Sequence, residues 1–253
     1  MNNLSKKIGI IGGGQLGKMM ILDAKRLGFY VITLDPSESC PSHSISDEHI
    51  LASFDDEKAI RTMAEKVDVI TYEFEHINVD ILKKLEDEGY TIYPTAKSLE
   101  IIQNKYNQKY TLLKNDIAVP DFMLVQSTDD LINAGQKFGY PMMLKTCTGG
   151  YDGKGNYVVE NEKLIEESYR QLGNGTIPLM VERFVDLKKE ISVLACRGIN
   201  GEITVYPVGE NIHVDSILDE TRVPADISKK CTEEAMELAH RVMEIFSGVG
   251  MFC

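Results

Sequence analysis

The sequence predicts an α/β protein in which a parallel-sheet domain comes first and a mixed α+β unit follows. Three observations carry this reading. Strand-like apolar runs alternate with helix-like segments from KKIGII to TIYP, the order that builds a parallel sheet. A glycine cluster, GGGQLG, stands at the first strand-to-helix junction. From residue 188 the pattern becomes KKEISVLACRG, GEITVYPVGE and NIHVDSILDE, which read as successive antiparallel strands with Gly or Asn turns.

The elements follow in order. KKIGIIGGGQLGKMMILDAKRLGFYVITLD reads as strand, glycine turn, helix and strand. The helix runs from about Gln15 to Leu27 and stops at Gly28, a residue suited to the left-handed geometry of a helix end. VDVITYEF is a buried strand, NVDILKKLEDEG an amphipathic helix, and TIYP a short strand closed by Pro94. The first domain therefore spans residues 1–95. Leu99, Ile102, Tyr106, Tyr110 and Leu113 recur at helical spacing, so 96–117 are expected to be linker helices. VPDFMLV is a strand, Thr128 to Phe138 a helix, and YPMMLKT a strand. The glycine-dense GGYDGKGNYVV follows, then a helix from about Asn161 to Leu172 and the strand IPLMVERFV. Together these make a small subdomain over 118–182. Residues 183–253 carry the antiparallel strands and a helix from about Ser228 to Phe246. GVGMFC resembles a strand just beginning. Chains seldom end by exposing an apolar strand edge, so the expectation is that further sequence belongs after Cys253 and that GVGMFC is left unpaired.

Composition limits the function. At 253 residues the chain can bury one large core or two to three small ones, and 43% hydrophobic with 26% charged residues is ordinary for a globular protein. No apolar run approaches the roughly 20 residues of a membrane helix. MNNLSKKIGIIGGG lacks the long apolar segment of a secretory signal, so a cytoplasmic protein without membrane partners is expected. The net charge of -12 argues against non-specific nucleic-acid binding. A phosphate ligand must instead meet local lysines or helix N-termini. The five cysteines are scattered without a CxxC pair, which points to free thiols in a reducing compartment.

Gly12 to Gly17 satisfy GxGxxG, and Asp35 ends the next strand. This is close to a dinucleotide fingerprint, in which the glycines admit a pyrophosphate and the acid holds a ribose. Taken alone, it supports an NAD-dependent oxidoreductase as well as a bare strand–helix turn. The second half of the chain argues for a different chemistry. Lys145 ends an apolar strand just before Gly149, Gly150, Gly153 and Gly155. A lysine there can reach nucleotide phosphates as a point charge, and a glycine-rich loop can close over them. The order is not that of a P-loop, and an exposed hairpin turn is the plain alternative. About 30 residues later, MVERFVDLKKEISV places Glu182, Phe184 and Val185 at a strand-to-loop transition, and Glu190 opens the next strand.

A lysine, then GGYDGKG, then ExFV and a further Glu resemble the ATP-grasp superfamily in order and spacing. GIIGGGQLGKMM, YEFEHI and GGYDGKGN narrow the resemblance to the 5-(carboxyamino)imidazole ribonucleotide synthase family, over essentially the whole chain. It implies a Rossmann-like pre-ATP-grasp domain followed by an ATP-grasp domain that is incomplete at its C-terminus. It also implies ATP and Mg²⁺ as cofactors, aminoimidazole ribonucleotide and bicarbonate as substrates, and a homodimer. Carried over, the family pattern has Lys105 and Lys145 on ATP phosphates and Gly150, Tyr151, Asp152, Gly153, Lys154, Gly155 and Asn156 as a closing loop. Glu182, Arg183, Phe184 and Val185 line the adenine, Glu190 holds the ribose, and His213 faces the same pocket. Tyr151, Asp152 and Lys154 are the implied catalytic residues, and Glu73, Tyr151 and Lys154 the implied contacts to the ribonucleotide, with Glu75 and His76 nearby. The reaction implied is ATP-dependent carboxylation through carboxyphosphate. The family's magnesium-binding acidic residues and its Asn–Glu pair lie beyond the GVGMFC-like segment, so no metal ligand is named here and the 253-residue chain is expected to be inactive by itself. Another ATP-grasp ligase, or an NAD-dependent enzyme, are the alternatives.

Overall fold

The computed structural model describes residues 6–150 and 154–253. The chain forms two compact units, Met1–Glu100 with Ser247–Gly250, and Ile101–Phe246 with Met251–Cys253.

In the first unit, β1 (Lys7–Ile11), α1 (Gln15–Arg26), β2 (Tyr30–Asp35), β3 (Glu48–Leu51), α2 (Glu57–Ala64), β4 (Val69–Tyr72) and α3 (Val79–Asp87) alternate along the chain. The sheet runs β3-β2-β1-β4, and every pairing is parallel. Parallel strands are covered on both faces, and the runs IGII and VITL bury Ile10, Ile11, Val31, Ile32 and Leu34 almost completely. Ile60 and Met63 of α2 and Leu82 and Leu85 of α3 close one face. Asp56 and Asn78 start those helices, each accepting from backbone amides of the first turn.

Sequence periodicity leaves β3 and α2 unread, because EHIL and EKAIRTMA are short, four and eight residues. TIYP is less than a strand: only Ile92 bridges Ile70, and Pro94 follows with no amide to continue a ladder.

The helix α4 (Ala96–Ile102) carries the chain into the second unit, which opens with α5 (Lys105–Lys114). Then come β5 (Phe122–Val125), α6 (Thr128–Phe138), β6 (Met142–Thr146), β7 (Asn156–Val159), α7 (Ile165–Gln171) and β8 (Leu179–Arg183). Their antiparallel sheet has the order β5-β8-β6-β7. Leu131 and Ala134 of α6 pack on Leu144, Val159 and Val181. Ser127 and Asp130 form a reciprocal capping box at the start of α6.

The remaining strands are β9 (Glu190–Ser192), β10 (Ala195–Arg197), β11 (Ile203–Val205), β12 (Gly209–Val214) and β13 (Ile217–Arg222). NIHVDSILDE is a hairpin rather than one strand. Asp215 (φ 50°) and Ser216 (φ 66°) turn the chain between β12 and β13, the positive-φ pair that a two-residue hairpin needs. The helix α8 (Lys229–Ile245) starts at Ser228, whose hydroxyl accepts from the Cys231 amide. GVGMFC is not left unpaired: β14 (Gly250–Phe252) pairs with β10 and ends the sheet order β11-β10-β14. No helix among the described residues is long and apolar enough to cross a membrane.

Candidate nucleotide site

The site grows from the pairing of β6 with β8. Met143 lies opposite Glu182 and Lys145 opposite Met180, so Lys145 and Glu182 are diagonal neighbours on one face of the sheet. The Lys145 ammonium contacts Glu182 Oε1, and Lys109 Nζ lies 2.8 Å from Oε2. The Glu182 side chain is 9% exposed, and those of Lys145 and Lys109 are 24% and 21% exposed. Burial pushes the Glu182 carboxyl up. The ammonium groups of Lys109 and Lys145 outweigh that effect and hold it below its ordinary value.

Two ammonium groups on one carboxylate leave a net positive charge in a half-buried place, the electrostatics of an anion receptor. The sequence reading missed Lys109. Its signal was the four-residue spacing from Lys105, which puts both on one face of a helix.

The helix α5 is docked where β6 ends. The Lys105 amide donates to Cys147 O at 2.8 Å, and Lys105 Nζ donates to Gly149 O at 2.5 Å. The glycine loop is therefore tied to a cation at its base. Gly149, Gly150 and Gly155 have φ of 67°, 78° and 84°, a region that disfavours side chains. A Cβ on Gly155 would stand 2.7 Å from Thr146 Oγ1, and one on Gly150 2.5 Å from Lys154 O. The loop joins β6 to β7, with Asn156 opposite Lys145. Lys154 is exposed. Tyr151, Asp152 and Gly153 lie outside the described residues.

Phe184 and Val185 follow β8 as exposed apolar side chains. Arg183 turns the other way. Its Nε and Nη2 donate to Asp121 Oδ2 at 3.1 and 2.9 Å, and Nη1 donates to Phe138 O at 2.9 Å. The guanidinium is committed to that face, and the Arg183 amide donates to Asp121 O at 2.8 Å. Glu190 and His213 are brought together, with 3.6 Å between Oε1 and Nε2. Asn211 completes this polar row. Its amide donates to Glu190 Oε1 at 3.4 Å, and its Oδ1 accepts from Ser192 and Thr221. Only the pairing of β9 with β12 reveals Asn211, since Asn211 lies opposite Glu190.

In the first unit the glycine loop is already filled by carboxylates. Glu73 Oε1 accepts from the Gly14 amide at 2.8 Å, and its Oε2 accepts from the Gly17 amide. Gly14 supplies no side-chain cap to α1. Glu73 thus meets the free amides and positive end of that helix from a distant strand end. Asp35 is buried and accepts from the Gly13 and Ser37 amides, each at 2.8 Å. It holds the loop itself instead of presenting its oxygens to a ribose, which weighs against the dinucleotide reading. Glu75 and His76 form a half-exposed pair 3.4 Å apart. Among the described residues, no group of three or more His, Cys, Asp or Glu side chains is placed to hold a metal ion.

Comparisons with known proteins bear on the family of the chain. The ribonucleotide synthetase preATP-grasp domain matches residues 5–103. An N5-carboxyaminoimidazole ribonucleotide synthase of Staphylococcus aureus (strain COL) is 41% identical over 97% of this chain and 64% of its own length. That of Bacillus subtilis (strain 168) is 40% identical over 96% of this chain and 63% of its own length. The chain thus spans somewhat under two thirds of the curated relatives it matches. Among solved structures, the Staphylococcus aureus N5-carboxyaminoimidazole synthetase complexed with ADP has a TM-score of 0.92 at 40% identity, covering 99% of this chain and 66% of that one. The Aspergillus clavatus synthase in complex with ADP and 5-aminoimidazole ribonucleotide has a TM-score of 0.91 at 34% identity, covering 99% and 65%. The ATP-grasp domain itself matches residues 110–253, more than half of the sequence and the stretch that holds Lys145, Glu182, Glu190 and His213, and the chain belongs to the ATP-grasp family.

Proposed function

We propose that this chain is the nucleotide-binding part of an enzyme that carboxylates 5-aminoimidazole ribonucleotide with bicarbonate. The products are 5-(carboxyamino)imidazole ribonucleotide, ADP and phosphate, a step of de novo purine biosynthesis in the cytoplasm. The observation that carries the reading is the cation cluster of Lys105, Lys109 and Lys145 at the base of a glycine loop. Relatives whose structures contain ADP and 5-aminoimidazole ribonucleotide support it.

ATP supplies the phosphoryl group that turns bicarbonate into carboxyphosphate. This chain's own residues then neutralise, orient and shield. Lys145 and Lys105 meet the phosphates, since phosphoryl transfer depends on positioning and charge neutralisation more than on covalent help. The backbone of Glu182 to Val185 reads the adenine edge, and Glu190 with His213 holds the ribose. The loop from Gly150 to Asn156 excludes water from a labile intermediate. Tyr151, Asp152 and Lys154 serve the ribonucleotide. Mg²⁺ accompanies the nucleotide in this reading, but the described residues offer it no fitting cluster and no step is drawn through it. Homodimer formation belongs to the same proposal and is read by sedimentation.

The test is ADP release from a fusion of this chain with the segment of the Staphylococcus aureus relative that it does not match. Release that needs both bicarbonate and 5-aminoimidazole ribonucleotide is the expected result, and the 253-residue chain alone is expected to give none. Release driven by another amine or carboxylate acceptor would point to a different ATP-grasp ligase.

A further inference from the structure

Lys109 belongs to the cation cluster but meets no phosphate in the reaction proposed above, yet it is as deeply placed as Lys145 and touches the same carboxylate. A helix gains nothing by itself from cations at 105 and 109, because like charges four residues apart repel. Both are held there by tertiary contacts: Lys105 by the loop carbonyl of Gly149 and Lys109 by Glu182. Lys109, Lys145 and Glu182 together carry one positive charge, so an arriving phosphate completes the neutralisation.

For that to happen, the Lys145 ammonium must give up Glu182. Stripping a buried carboxylate of its partner is strongly unfavourable. A second cation already seated on the other oxygen removes that obstacle. We propose that Lys109 is a positioning residue, the resident counter-ion of Glu182 that frees Lys145 to leave that carboxylate for the phosphates of a bound nucleotide. The inference rests on reading this site as a nucleotide site. It adds a partner exchange in which Lys145 passes from carboxylate to phosphate while the Lys109–Glu182 pair stays closed.

Calorimetric titration with ATP and with adenosine tests it on this chain and on K109M, K109R, E182Q and the K109M/E182Q double variant. In K109M, Lys145 is the only cation left to Glu182 among the described residues and stays on it. ATP is then expected to bind about tenfold or more weakly, while adenosine, which has no phosphate, changes by less than about twofold. K109R keeps the charge and is expected to stay within about threefold of the parent for ATP. In the E182Q background no carboxylate retains Lys145, so adding K109M is expected to change ATP affinity by less than about twofold.

An equal ATP loss on adding K109M in both backgrounds would show that Lys109 touches the phosphate itself and would overturn the proposal. Unchanged ATP affinity in K109M would overturn it too, as would parallel losses of ATP and adenosine that K109R does not rescue. If K109M fails to fold, K109R and the effect of E182Q on ATP relative to adenosine still decide. An E182Q chain with unchanged preference for ATP over adenosine, together with a K109R chain that has lost it, would again overturn the proposal. A parent chain that binds neither ligand overturns the nucleotide-site reading itself, a result distinct from failure of the exchange.

Discussion

At Glu182 a carboxylate is buried between two ammonium groups, and its ionisation ties stability to pH. Burial pushes its pKa up, the ammonium groups of Lys109 and Lys145 pull it further down, and the folded value lies below the ordinary 4.5. The unfolded chain therefore takes up a proton first. The stabilisation is complete above the unfolded value and is lost as pH falls through the folded one. The stability difference between the parent and Glu182→Gln, measured by urea unfolding with circular dichroism, is expected to be present at neutral pH and to shrink below about pH 4.5. A difference that stayed constant across that window would remove Glu182 as the titrating group. Lys145→Ala acts on the ligand. Loss of one charge-assisted contact to a partly buried phosphate costs about 1.5–3 kcal/mol, so ATP affinity by calorimetry is expected to fall by at least an order of magnitude. Parent-like affinity would take Lys145 out of the phosphate site.

Among the elements, the hairpin of β12 and β13 shows where local chemistry and observed backbone disagree. Asp215 and Ser216 both hold positive φ, a region costly for residues with a Cβ and suited to Asn-Gly. Replacing the pair by Asn-Gly is expected to stabilise the chain by about 0.5–1 kcal/mol, read as a rise in melting temperature. A fall would mean that the side chains of Asp215 and Ser216 contribute more than the turn relaxes. The same pair explains why the hairpin was read as one strand: DS lacks the glycine that marks such turns. The opposite case is α6, read as Thr128 to Phe138 in the sequence and found there in the structure, with Ser127 and Asp130 capping its start and Gly139 at its end. Capping is a local interaction, so it is legible from neighbouring letters.

For the whole molecule, the two compact units give nucleotide binding a local readout. ATP is expected to slow amide hydrogen exchange in β6, β8 and α5, which hold the cation cluster, and to leave β1 and β2 unchanged, because ligand stabilisation reaches the segments whose opening breaks the site. Protection appearing in β1 and β2 alone would move the nucleotide to the first glycine loop.

The sequence by itself determined the alternation of strands and helices, the glycine loop after Lys145 and the motifs shared with the ATP-grasp family. All of these are patterns among residues close together in the chain. The tertiary structure alone decided that Glu182 is shared by Lys145 and Lys109. It also decided that Arg183 faces away from them and that Glu73 caps a helix 56 to 59 residues before it. Periodicity and propensity report what a residue does with its neighbours within a turn or a strand. Charge pairing across a sheet, or between a strand end and a distant helix, depends on the path of the chain, and only the packed fold brings those groups within bonding distance.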